Sequence, residues 1–236
     1  MIKTIINYLK KLKRQLYIQK KETSLNQHDL INYNRIISDY DFEQEKIKHV
    51  SILTSFLSKY DFILKNELNN NVLKDYLFFD IGAGSLIHSN YFCNFVKKTY
   101  SIEPSKSALK IGNKIYGELK NNIIVNDFAE DVLEKLPLYE KCLFHTSHVL
   151  SHLTDQSTKK ILNLINNNSS IGSYVLFDEI WSNETEVKNK LFYVRKKEFW
   201  QNNLSNFDIN FYEFKSNVGD VLFFKGFLGK KIKSNI

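Results

Sequence analysis

Three groups of residues in this 236-residue chain could do chemistry together. Asp80-Ile81-Gly82-Ala83-Gly84 follows the apolar run Tyr76 to Phe79. An apolar run broken by Gly-x-Gly predicts a buried strand ending in a tight turn. Gly82 and Gly84 remove side chains, so the backbone there can come close to a ligand. Acids stand at later predicted strand ends: Glu103, Asp127 and the pair Asp178-Glu179. Three of the six histidines, His145, His148 and His152, crowd into one stretch. Histidine titrates near neutral pH and suits removal of a proton from an acceptor hydroxyl. His148 and His152 stand four apart and share a face if a helix has begun there. Asp178 and Glu179 are alternative bases or hydroxyl binders, with helix capping as their plainer role. Arg195, a rare arginine in a lysine-rich chain, could clamp a phosphate or carboxylate, although a surface position is the simpler reading.

The elements that must position these residues alternate regularly. Strands are expected at 77–81, 100–102, 123–125, 142–146 and 173–177, with helices at 89–98, 107–116, 130–136, 157–166 and 184–200. Two final strands, 207–215 and 221–228, close the chain as a hairpin. The pattern predicts an α/β fold with a seven-stranded, mostly parallel, doubly wound sheet and one reversed strand near its edge. Such sheets bind ligands outside the carboxyl ends of their strands.

Residues 75–236 form that domain, and residues 1–74 read as a helical extension. Within 2–20, Ile2, Ile5, Leu9, Leu12 and Leu16 recur at helical steps between lysines, giving a basic amphipathic helix. It would dock on an anionic membrane surface or an acidic partner, or pack on the main domain or a second subunit in a homodimer. Helices over 25–71 would cap the sheet's ligand edge.

The formal charge of +7 is concentrated at the start, because residues 1–21 carry Lys3, Lys10, Lys11, Lys13, Arg14, Lys20 and Lys21 and no acid. The rest of the chain is balanced, so the broad basic face of a nucleic-acid binder is missing. Two cysteines, Cys93 and Cys142, give no disulfide framework and point to a reducing compartment. No run approaches the roughly 20 apolar residues of a membrane span, and no signal-peptide core is evident, so a cytoplasmic location is expected.

The motif Phe79 to Gly84 resembles the first motif of class I S-adenosylmethionine-dependent methyltransferases. Glu103 and Asp127 match that family's acids at the ends of its second and third strands. The stretch His148 to Leu153 is similar to the Val-Leu-x-His-hydrophobic segment of its small-molecule members, and the terminal hairpin fits too. The resemblance covers about residues 75–230. It implies a Rossmann-like methyltransferase fold that takes S-adenosyl-L-methionine, with Asp80, Gly82, Ala83, Gly84, Glu103, Asp127 and Phe128 around the cofactor. Glu103 would accept the ribose hydroxyls. Asp127 would take the adenine amino group with the Phe128 N–H at a ring nitrogen, or simply cap the following helix. Leu86 and Ile87 stand where a third glycine would, and Asp80 would repel a pyrophosphate, so the methyl donor fits better than a dinucleotide.

The proline-containing signatures of DNA amino-methylating enzymes and the Pro-Cys nucleophile of cytosine-C5 enzymes are both absent. The histidine-rich edge and neutral body point to O-methyl transfer onto a small molecule, namely a sugar, a nucleotide-activated sugar or a surface-glycan precursor. His148 is the leading base, with His145 and His152 beside it. His145 or His148 has no Asp-rich partner at metal spacing, so no metal is expected. The competing readings are a catalytically silent adenosine- or methyl-donor-binding protein, and an RNA-modifying methyltransferase docked through its basic helix.

Overall fold

In the computed structural model the described residues are 59–60, 62–64, 68, 73–135, 140–184, 186–188, 192–216 and 222–234, without the side chains of 188, 214–216 and 222–224. The amphipathic stripe at 2–20 and most of 25–71 lie outside them.

Parallel strands β1 (Leu77–Ile81), β2 (Lys98–Ile102), β3 (Asn122–Val125), β4 (Cys142–Ser147) and β5 (Tyr174–Asp178) form the sheet with β9 (Phe207–Ser216) and β10 (Leu222–Lys231). The order is β3-β2-β1-β4-β5-β10-β9. β10 alone runs against both of its neighbours, β5 and β9, as the hairpin predicted. Every residue of β1 and β5 is buried, as expected for parallel strands covered on both faces. The chain leaves β1 toward β2 and β3 on one side, then returns to β4 and β5 on the other. The ligand crevice of such a sheet opens at this switch, above the carboxyl ends of β1 and β4.

Helices α1 (Ile87–Phe92), α2 (Lys106–Tyr116), α3 (Ala129–Lys135), α4 (Asp155–Asn168) and α5 (Lys197–Asn203) connect the strands. Strand alternation sorts the core into two faces. Phe79, Phe144 and Phe177 pack against Leu133, Ile161, Leu162 and Trp200 on one face. Phe78, Leu143 and Leu176 pack against Tyr60, Ile63, Leu64 and Phe92 on the other. Of the described residues of 59–68, all but the exposed Phe62 are buried, and Tyr60, Ile63, Leu64 and Leu68 lie in the core on this face of the sheet.

The helix expected over 184–200 is not formed. Its place is taken by β6 (Trp181–Ser182), β7 (Val187–Lys188) and β8 (Tyr193–Lys196), a small sheet of order β6-β8-β7, and a helix begins only at Lys197. In β8 only Arg195 is buried, while Tyr193, Val194 and Lys196 are half-exposed. Aromatic and β-branched neighbours favour the extended form, and it turns the arginine inward to carbonyls that it could not reach from a helix. Among the described residues no helix is long and apolar enough to cross a membrane.

Candidate active site

The glycine turn joins β1 to α1 above the switch. Gly82 and Gly84 have φ of 72° and 51°, conformations that cost any residue with a Cβ. The N–H groups of Gly82 and Ala83 both donate to the Ile102 carbonyl, at 2.9 and 3.0 Å, which ties the turn to the end of β2. A Cβ on Gly82 would stand 2.3 Å from Val149 Cγ2, so the turn also packs against the chain after β4. Leu86, left-handed at φ 66° and fully buried against Ala83 and Leu109, closes the turn where the third glycine was missing. Burial of its side chain holds that strained backbone in place.

Glu103 follows β2 beside this turn. Its carboxylate accepts from Gly84 N–H at 2.9 Å and Ser105 N–H at 2.7 Å. Burial raises its pKa to about 7, against the two backbone donors that favour the charged form, with Asp80 adding to the rise. Asn126 Nδ2 donates to the carbonyls of Glu103 and Pro104, both at 2.9 Å, holding the ends of β2 and β3 together. Asp127 lies just beyond β3, and its Oδ1 accepts from Phe128 N–H at 2.9 Å. This bond joins neighbouring residues just ahead of α3 and uses the Phe128 N–H.

Asp80 sits under the turn, 1% exposed. Ser89 Oγ donates to its Oδ2 at 2.6 Å, and His145 Nδ1 donates to its Oδ1 at 3.0 Å. Tyr60 joins His145 to Asp178: its oxygen lies 2.9 Å from His145 Nε2, and its hydroxyl makes a short bond to Asp178 Oδ2. Asp178 also takes Lys59 Nζ at 2.6 Å and the Tyr212 hydroxyl at 2.8 Å. Two acids and two bases thus alternate in one buried cluster. Burial alone would discharge each of them. The His145 imidazole still rises above its ordinary value because two carboxylates bond it, and Asp80 and Asp178 fall below theirs because of the cations they hold. Burial lowers the Lys59 ammonium, and Asp178 resists the change.

His88, from α1, brings its ring within 4.5 Å of the His145 ring. Burial and the His145 charge push its pKa down to about 3. Asp80, His88 and His145 place potential metal-ligand atoms within 4.8 Å of one another. The direct Asp80–His145 hydrogen bond occupies atoms that a cation would use.

The chain after β4 forms the other side of the crevice. His148 is half-buried and left-handed at φ 56°, and its N–H donates to the Asp178 carbonyl at 3.0 Å. A single 3-10 turn, Leu150–His152, follows. His152 meets the Phe192 ring edge-on at 5.7 Å between centroids. Glu179, wholly buried, accepts from the N–H groups of Val149, Leu150 and Ser151, each at 2.9 Å. Arg195, also wholly buried, donates to the carbonyls of Leu150 at 2.7 Å and Leu153 at 2.6 Å and to Asp155 at 2.9 Å.

No protein-family model matches the chain, and no curated protein matches it in sequence. Solved structures do match. DesVI of Streptomyces venezuelae superposes with a TM-score of 0.60 at 11% identity, over 82% of this chain and 100% of that one. A SAM-dependent methyltransferase of Anabaena variabilis gives 0.59 at 11% identity, over 85% and 92%. Magnesium protoporphyrin IX methyltransferase of Synechocystis PCC 6803 with bound SAH gives 0.58 at 10% identity, over 92% and 99%. The chain has the class I methyltransferase fold.

Within that methyltransferase fold, the residues singled out from sequence divide in two. Gly82, Ala83, Gly84, Glu103, Asp127, Phe128, His148 and His152 lie along the carboxyl edge. Asp80, His145, Asp178, Glu179 and Arg195 lie inside the structure with their polar atoms engaged. His145 has no exposed surface, so it does not stand at the edge as a free base. Asp178, Glu179 and Arg195 bind other parts of the chain where acceptor contacts had been expected. Lys59, Tyr60, His88 and Tyr212 were missed. They reach the cluster across 119, 85, 57 and 34 residues of sequence, and no local motif marks them.

Proposed function

We propose that the protein is an S-adenosylmethionine-dependent methyltransferase acting on a small molecule. The observation that carries this is Glu103: a buried carboxylate beside a glycine turn, with two backbone donors and no cation paired to it among the described residues. A carboxylate accepts about four hydrogen bonds, so it retains room for a vicinal diol. A cradle lined by left-handed glycines with a diol-accepting acid at its rim fits an adenosine-type ligand. In this reading Glu103 holds the ribose hydroxyls, Asp127 and Phe128 flank the base, and Gly82 to Gly84 lie along the ligand. Asp80 favours a cationic donor through its charge, since its oxygens are held by His145 and Ser89. When bound, the donor supplies an electrophilic methyl group on a sulfonium.

The protein's own part is alignment and proton removal. His148, at the carboxyl end of β4, takes the proton that the acceptor hydroxyl loses as its oxygen gains the methyl group. The acceptor class we favour is a sugar, a nucleotide-activated sugar or a surface-glycan precursor, in a cytoplasmic setting. This rests on the histidine-rich edge and the neutral body of the chain. The basic stripe at 2–20 would serve docking to a membrane surface, a partner or a second subunit, and residues 25–71 would complete the site's cover.

The test is transfer of tritium from methyl-labelled S-adenosylmethionine into size-fractionated cell extract. Label in low-molecular-weight, carbohydrate-containing material supports the reading. Donor binding with no labelled product would favour a silent binding protein, and label in RNA would favour the RNA-modifying alternative.

A further inference from the structure

Glu179 and Arg195 act on the same short turn from opposite ends. The first N–H groups of any helical turn lack internal partners, and so do its last carbonyls. Here the N–H groups of residues 149, 150 and 151 all point to the Glu179 carboxylate, while the carbonyls of Leu150 and Leu153 point to the Arg195 guanidinium. An anion therefore caps the positive end of the turn, while a cation holds the Leu153 carbonyl just past its end and the Leu150 carbonyl, which also accepts the Leu153 N–H at 3.2 Å. Leu150 is gripped on both sides, by its N–H and by its carbonyl. Asp155, at the start of α4, holds the guanidinium in place at 2.9 Å.

The turn does not need two buried charges merely to exist, because most 3-10 turns are closed by backbone bonds alone. What precedes it does need support. His148 is one of three non-glycine residues among those described with positive φ, and unlike Leu86 it has no fully buried side chain to anchor it. Its N–H is tied to the carbonyl of Asp178, the residue before Glu179. Consecutive residues at the end of β5 thus fix four consecutive N–H groups, from His148 to Ser151. Strain of this kind persists where surrounding structure over-determines it.

We infer that Glu179 and Arg195 are positioning residues that hold His148 at the crevice in its strained conformation, a proposal that rests on the methyltransferase reading above. Both side chains are wholly buried and bonded to the chain itself. Both act through the backbone of residues 148–153, and the small sheet β6-β8-β7 exists in this chain to deliver Arg195 to that backbone.

The experiment uses the full chain with carbon-13-labelled histidine. The His148 imidazole signal is identified as the one that a His148→Gln variant lacks. Glu179→Gln and Arg195→Met should move that signal, and Arg195→Lys should restore it part-way. Methyl transfer should fall by up to about a hundredfold, the scale of a misplacement near 1 Å. Lys231→Met is the control: it removes another buried cation that caps carbonyls, those of Asn166 and Ser169, at 2.6 Å each. It should lower the melting temperature without moving the His148 signal. If the charge variants fail to fold, amide exchange in the wild type decides. The amides of Val149, Leu150 and Ser151 should exchange only through global unfolding. A His148 signal unmoved in folded variants, or fast local exchange at these amides, overturns the inference. A wild type without transferase activity would defeat the functional reading while leaving the imidazole and amide results to stand or fall separately.

Discussion

His145 Nδ1 lies 3.0 Å from Asp80 Oδ1, directly across the register of the parallel β1–β4 pair. Two strands meeting at the switch point are thus joined by a charged hydrogen bond in the core, one layer beneath the glycine turn. Tyr60 extends the link to Asp178 and Lys59, so the segment before β1 is fastened to the same cluster.

Breaking one half of the Lys59–Asp178 pair leaves the other charge buried. Lys59→Met or Asp178→Asn alone should each cost about 3–5 kcal/mol. The double variant should cost clearly less than the sum, because the pair leaves together. Denaturant unfolding of the four proteins of the cycle measures this. Additive losses would mean that the two groups do not depend on each other.

Acid should loosen the cluster in a defined order. The His88 pKa is depressed to about 3, so its contribution is complete above its ordinary value of 6.5 and is lost as pH falls toward 3. Asp80 and Asp178 are also depressed, so their contributions hold above 3.8 and are lost at still lower pH. His145 is raised, so its contribution is complete below 6.5 and is lost as pH climbs through its folded value. Stability should therefore decline on both sides of the weakly acidic to neutral range. His88→Phe should flatten the acid limb between pH 6.5 and 3 in urea titrations, and an unchanged limb would clear His88 of this role.

Glu103 has the opposite sign to the other acids. Its pKa rises from 4.5 to about 7, so its contribution is complete below 4.5 and is lost as pH rises through 7. Glu103→Gln should be more stable than wild type at pH 8 by on the order of 3 kcal/mol and equal to it near pH 4. Donor affinity should run the other way, since only the ionised carboxylate accepts both diol protons. Wild-type affinity should climb between pH 6 and 8, with proton release detected from the buffer dependence of the binding heat.

Gly82→Ala combines an unfavourable φ of 72° with a Cβ 2.3 Å from Val149 Cγ2. The turn or the chain after β4 must shift, at a cost of about 1–3 kcal/mol for the backbone alone. Gly82→Ala with Val149→Ala should recover the steric part and keep the conformational part. Melting temperatures of the two variants test this, and no recovery in the double variant would argue against contact between the turn and Val149.

The strand run, the Gly-x-Gly turn and the acids at strand ends are local features, and from them the sheet and the place of Glu103 were legible. Local periodicity failed over 184–200, where Arg195 turns inward to partners some forty residues away and makes a strand of a helix-like stretch. The roles of Asp178 and Glu179 were hidden for the same reason. A carboxylate at a strand end looks alike whether it faces ligand, backbone N–H groups or a buried lysine, and only the tertiary neighbours distinguish these cases. His145 carries the clearest lesson: its position beside two other histidines suggested a base, and the Asp80 and Tyr60 that enclose it come from distant parts of the chain.

The central claim, that the Glu103 cradle binds S-adenosylmethionine, is tested most directly by calorimetry on wild type and Glu103→Ala. The account predicts saturable binding by wild type and at least about tenfold weaker binding by the variant, a loss of roughly 1.4 kcal/mol. No binding by wild type, or equal affinity in both proteins, would contradict it.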